Sequence, residues 1–198
     1  MGLPISEKLG DPDLIHIREH HLARLERLFA GEPLDRPFFL HGITGQSDVS
    51  VMANPVECAR RSAESLAARA GQSLDEHVFR PLVLEQWVGG VHFIDALFGA
   101  RVHFSEGQWW NDFLRQPVGR LEMPDLETQD YWRKARRFAE ACVALDARAA
   151  FICPQVLSSP LNIIVNLYGE EVLAAMAADK PAAQHDLRVI TDLILGLH

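Results

Sequence analysis

Cysteine is scarce and has no pattern. Cys58, Cys142 and Cys153 are odd in number and lack any CxxC spacing, which argues against a disulfide framework or a structural zinc ribbon and fits a reducing cytoplasm. Clustered lysine and arginine are missing too. With a formal net charge of -8 and acids spread along the chain, neither nucleic acid nor an anionic membrane finds the basic patch it needs. No apolar run approaches the roughly 18 residues of a membrane span. The opening MGLPISEK has no apolar stretch like that of a signal peptide, and its short match to a myristoylation pattern is weakened by Pro4. No low-complexity segment and no alignable repeat occurs.

What the chain does have is material for an interior. A hydrophobic content of 48% over 198 residues is enough for one domain with a sizeable core. In chain order, Asp11 can cap a helix that starts at Pro12 and stops before Gly31, with Leu22, Leu25, Leu28 and Phe29 on one face. The adjacent His20 and His21 read as part of its solvated side. Phe38 to Leu40 then form a short buried strand that delivers His41 at its end. The loop from Gly42 to Asn54, with a Gln46-Ser47-Asp48 cluster, is longer than a structural connection requires and is expected to border a pocket. A helix from Pro55 to Ala70 packs through Val56, Ala59, Ala63 and Leu66.

The organising stretch is Phe79 to Trp110. A strand from Phe79 to Glu85 ends on Glu85-Gln86-Trp87, a short helix runs from Val91 to Phe98, and a β segment covers Arg101 to Phe104. Ser105 to Thr128 reads as an aromatic loop holding Trp109 and Trp110. A long helix from Thr128 to Asp146 precedes a third strand, Ala149 to Cys153, and three helices follow, the first capped near Ser159. In a parallel α/β sheet the chemistry gathers at the carboxyl ends of the strands. Glu85 and His41 are therefore the candidate catalytic residues, as general acid or base or as orienting acceptors. Gln46, Gln86, Trp87, Trp109 and Trp110 are the candidate substrate contacts; the indoles serve either as a pocket wall for a flat or methylated ligand or as a packing cluster that pins the loop. Cys153 ends a strand with no cationic neighbour in sequence and reads as inert.

Three stretches, HHLARLERLFAGEPLDRPFF, IDALFGARVHF and LEMPDLETQDYWRKARRFAEA, resemble segments of the uroporphyrinogen decarboxylase superfamily. The resemblance implies a (β/α)8 TIM-barrel-type fold of which about three strand-helix units are present, with residues 1–35 as leading helix and turn and 36–198 as the strand-helix units. Three parallel strands cannot close, so the exposed sheet edges imply either a carboxyl-terminal half or a homo-oligomer. Where the family's decarboxylases carry an Arg-Gln-Ala-Gly-Arg signature, this chain has His41-Gly42-Ile43-Thr44-Gly45-Gln46. Losing arginines that pair with substrate carboxylates favours methyl transfer or another activity on a small molecule over decarboxylation of an acidic tetrapyrrole. In the methyltransferase branch, a His-x-Cys pair and a later Cys hold zinc in the second half of the barrel, beside a corrinoid partner; these 198 residues are expected to hold no metal or cofactor themselves. The competing expectation is a non-catalytic partial barrel that dimerises through its open edges.

Overall fold

The computed structural model describes residues 4–45, 54–85, 88–153, 155 and 157–197. They form a mixed α/β protein with small parallel sheets. The chain divides into two compact units, each built from two segments: unit 1 is Met1–Gln86 with Arg136–Pro154, and unit 2 is Trp87–Ala135 with Gln155–His198.

Unit 1 begins with helices α1 (Ile5–Leu9) and α2 (Pro12–Phe29). The Asp11 carboxylate accepts from the Asp13 amide at 2.8 Å, and Pro12 occupies the first turn, where no amide hydrogen is needed. The face that α2 buries differs from the leucine stripe. His21 and Arg24 turn inward with Leu14, while Leu28 and Phe29 stay exposed. His21 is fully buried, stacks on Phe79 with ring centroids 5.0 Å apart, and bonds the Asp75 carbonyl at 2.7 Å, so it is no solvated histidine.

Strands β1 (Phe39–Leu40) and β2 (Ile43–Thr44) pair in parallel with β3 (Val78–Phe79) and β4 (Leu82–Glu85). The amides of His41, Ile43 and Gly45 donate in turn to the carbonyls of Phe79, Pro81 and Val83 at 2.8 to 2.9 Å. The two short pairs are thus one ladder, broken in the middle because Pro81 has no amide hydrogen to return. His41 directly follows β1, and the ladder resumes in β2, with the Gly45 amide as its last described bond. Gly45 is needed there: a Cβ would lie 2.7 Å from the Ser62 carbonyl oxygen of α3 (Pro55–Ala67).

The third strand, β7 (Ala150–Cys153), pairs with β4, giving the order β2-β4-β7 with Glu85 opposite Cys153. Alternation divides the sheet's faces. Leu82 and Leu84 pack with Ala59, Ala63 and Leu66 of α3 and with Phe138 and Cys142 of α5 (Asp130–Ala144). The opposite face, carrying Val83, Glu85, Phe151 and Cys153, is only half-buried. Among the described residues β2 and β7 each have a neighbour on one side only, and no closed barrel forms.

Unit 2 starts with a 3-10 turn, Gly90–His92, that runs into helix α4 (Phe93–Leu97). The segment read as an aromatic loop begins as a hairpin, β5 (Val102–Ser105) against β6 (Gln108–Asn111). Its two-residue turn, Glu106-Gly107, has both φ angles positive, 52° and 81°, as the tightest antiparallel turn demands. Helices α6 (Pro160–Tyr168), α7 (Glu170–Ala178) and α8 (Lys180–Gly196) complete the unit. The Ser159 hydroxyl caps α6, accepting from the Asn162 amide at 3.3 Å. Ile163, Ile164 and Leu167 of α6 pack with Phe93, Ile94 and Ile190. No single helix among the described residues is long and apolar enough to cross a membrane. The pair α6 and α7 passes on length and composition only across a 110° bend.

Asp186 of α8 is a fully buried polar group. Its carboxylate accepts from the Gly119 amide at 2.7 Å, the Leu121 amide at 3.0 Å and the Tyr168 hydroxyl at 2.8 Å. These bonds fasten the segment after the hairpin to two helices.

Candidate functional site

In unit 1 the carboxyl edge of the three-stranded sheet brings Glu85 beside Cys153 in register, both half-buried. Burial, and then the Glu85 charge, raises the thiol pKa, so Cys153 stays protonated and is a poor nucleophile. Cys58 and Cys142 lie in the apolar core, where burial pushes the Cys142 thiol up to about 12. Among the described residues no group of three or more His, Cys, Asp and Glu converges as metal ligands. The strand ends supply one carboxylate that can accept a hydrogen bond or move a proton. His41 lies exposed along the ladder and does not join Glu85 at the strand end. Gln46, Gln86 and Trp87 lie outside the described residues.

Trp109 and Trp110 fall in unit 2. There a cleft of about 770 Å³ is bordered by both indoles, by Phe113, by Glu170 and Glu171 at the start of α7, and by His92. The aromatic walls rest on glycines. The Trp109 indole lies against Gly90 (φ 54°), and the Phe113 ring lies where a Cβ on Gly169 (φ 61°) would come within 2.8 Å. Neither glycine can take a side chain without displacing its ring or straining the backbone. Trp109 also meets Phe104 edge-on, centroids 5.3 Å apart, and the Trp110 indole N–H donates to the Ser105 carbonyl at 3.2 Å.

His92 brings chemistry to this cleft. The turn into α4 sets residues three apart on one side, so its Nδ1–H donates to the Asp95 Oδ2 at 2.6 Å. The Asn166 amide donates to the same oxygen at 3.0 Å, and the Asn111 side chain holds the Asn166 backbone carbonyl at 2.6 Å. Gln155 steadies the turn by donating to the Gly90 carbonyl at 3.0 Å. Asp95 is fully buried; that burial raises its pKa, opposed by the bonds from His92 and Asn166. Its Oδ1 has no partner among the described residues. The carboxyl group fixes the orientation of the imidazole through Nδ1.

Neither His92 nor Asp95 stood out in the sequence. Their spacing of three at a helix start was a readable signal, but Asn166 is brought to them only by the packing of α6. Once the fold and this geometry define the class, a mixed α/β protein with a carboxylate-tipped parallel sheet and a separate aromatic cleft, resemblance adds nothing further. No family model matches the chain, and comparison with curated proteins and with solved structures finds no match.

Proposed function

We propose that unit 1 carries strand-helix units of a (β/α)8-type barrel of the uroporphyrinogen decarboxylase superfamily, and that the completed barrel performs methyl transfer to or from a small molecule. One observation carries this reading: β2, β4 and β7 lie parallel and side by side in chain order, as successive strands of such a barrel do, with β4 and β7 ending together at Glu85 and Cys153. The half-buried second face of the sheet is the face a barrel interior would fill. Decarboxylation of an acidic tetrapyrrole is disfavoured because Glu85 and Cys153, which end β4 and β7, offer a carboxylate and a neutral thiol where paired guanidinium groups would be wanted. The zinc of the methyltransferase branch does not fit the described residues, among which no three His, Cys, Asp or Glu side chains converge. Glu85 would orient substrate or carry a proton at the strand ends.

The test is to co-refold the chain with the carboxyl-terminal half of a corrinoid-linked methyltransferase of that superfamily. The product is assayed with methylcobalamin and a thiol, and separately with uroporphyrinogen. Methyl transfer that falls on Glu85→Gln supports the reading; turnover of uroporphyrinogen alone replaces it with decarboxylation, and no turnover of either refutes it. Exposure of Phe39 and Leu40, at 60% and 56%, favours a second reading in which the open sheet pairs with a second copy without chemistry. Light scattering separates the two, since a stable dimer of twice the chain mass that excludes the added half supports the second.

A further inference from the structure

The cleft of unit 2 has a composition that selects for charge. Its borders carry two carboxylates, Glu170 and Glu171, and no lysine or arginine. Beside them Trp110 and Phe113 keep 44% and 62% of their surface exposed, and the more buried Trp109 completes the aromatic border. Large aromatic faces left open to solvent are unfavourable unless something covers them, and their electron-rich faces attract cations. His92 adds no unbalanced positive charge, because its Nδ1 lies 2.6 Å from the buried Asp95 carboxyl group. The rings are also placed by the backbone, since Trp109 and Phe113 lie against Gly90 and Gly169, both at positive φ.

We propose that this cleft is a binding site for a small organic ammonium cation, held over Trp109, Trp110 and Phe113 and neutralised by Glu170 and Glu171. The inference stands on the cleft alone and goes beyond the barrel reading of unit 1. An anion would meet two carboxylates with no counter-charge. A neutral apolar ligand would gain the aromatic contact but nothing from the acids. A methylated ammonium gains both, because its charge is spread over methyl groups that can touch the rings directly. Its positive charge also needs less hydration than that of a bare ammonium, so desolvation in the cleft opposes it less.

Isothermal titration calorimetry on the full chain at constant ionic strength tests this with three probes of similar size: tetramethylammonium, tert-butanol and pivalate. Tetramethylammonium is expected to bind with a Kd of about 1 mM or tighter. It should bind about tenfold more tightly than tert-butanol, with pivalate not binding. The double variant Glu170→Gln/Glu171→Gln, on the exposed start of α7, should weaken the cation about tenfold while leaving tert-butanol unchanged. Trp110→Leu should weaken the cation and keep the far-UV circular dichroism of the parent. Equal binding of tert-butanol and tetramethylammonium, preference for pivalate, or no saturable binding of the cation by a correctly folded parent would each overturn the proposal.

Discussion

In unit 1 the backbone is fastened by a ladder between strands distant in sequence, and both outer strands keep one side unpaired among the described residues. In unit 2 the strands form a local hairpin, and side chains fasten the rest: Asp186 holds two amides and a hydroxyl, Asn111 the Asn166 carbonyl, and Gln155 the Gly90 carbonyl. The apolar residues left exposed differ in the same sense. Those of unit 1 include Phe39, Leu40 and Ile152 on the strands, and those of unit 2 include Trp110 and Phe113 around a cleft. Unmet backbone bonds call for more backbone, whereas exposed rings beside carboxylates call for a ligand.

Core truncation is the strongest way to break this comparison. Leu84→Ala and Leu167→Ala each empty a fully buried site, one per unit, and should cost about 2–5 kcal/mol. All four tryptophans, Trp87, Trp109, Trp110 and Trp132, belong to the segments of unit 2, so Leu167→Ala must lower the urea midpoint seen by fluorescence. Leu84→Ala must lower the midpoint seen by far-UV circular dichroism. A fluorescence midpoint unmoved by Leu167→Ala would show that α6 is not the core of unit 2.

A smaller effect tests the side-chain fastening. Asp186→Asn turns one acceptor oxygen into a donor facing groups that already donate, and should cost about 1–3 kcal/mol, with Tyr168→Phe, which removes a single bond, nearer 1 kcal/mol. If both variants unfold at the parent's urea midpoint, the bonds around Asp186 do not hold the unit.

The smallest effect belongs to the surface of α3. There Arg60 first and Arg61 second hold the Glu57 carboxyl down at about 2 through hydrogen bonds. A depressed folded pKa stabilises fully above the unfolded value, and the contribution is lost as pH falls through that value toward about 2. The urea midpoints of the parent and Glu57→Gln should therefore differ slightly at neutral pH, converge as pH drops, and converge also in high salt. A difference that grows in acid would reverse the sign of this ion pair.

Local chemistry was readable in the sequence. Asp11 and Ser159 cap the helices expected of them, and β4 and β7 fall within the apolar runs Phe79 to Glu85 and Ala149 to Cys153 read as strands. What escaped depends on partners remote in the chain. His21 and Arg24 are polar by type, yet the fold gives His21 the Phe79 ring and the Asp75 carbonyl, and lays the Arg24 guanidinium 5.5 Å from the Phe38 ring centroid. The first strand ends before His41 as read, but Phe39 and Leu40 are exposed rather than buried, and the ladder resumes at Ile43 in what reads as a loop. The hairpin had a local signal, Glu106-Gly107 between β-forming runs, that the density of aromatic residues obscured. Among the described candidate contacts, Trp109 and Trp110 meet at one cleft, and its histidine and buried aspartate become a pair only when α4 is formed.

The pairing of β4 with β7 also sets a timetable for synthesis. On the ribosome Leu82 emerges long before Ala150, its partner across the ladder, and the whole first segment of unit 2 is made in between. Throughout that interval one edge of β4 is unpaired, and the leucines beneath it lack the α5 residues Phe138 and Cys142 that later cover them. Strand edges waiting for a late partner are where nascent chains associate wrongly. The yield of soluble protein should therefore depend on translation speed and chaperone supply across Trp87–Ala135, a segment that contributes nothing to the sheet it delays.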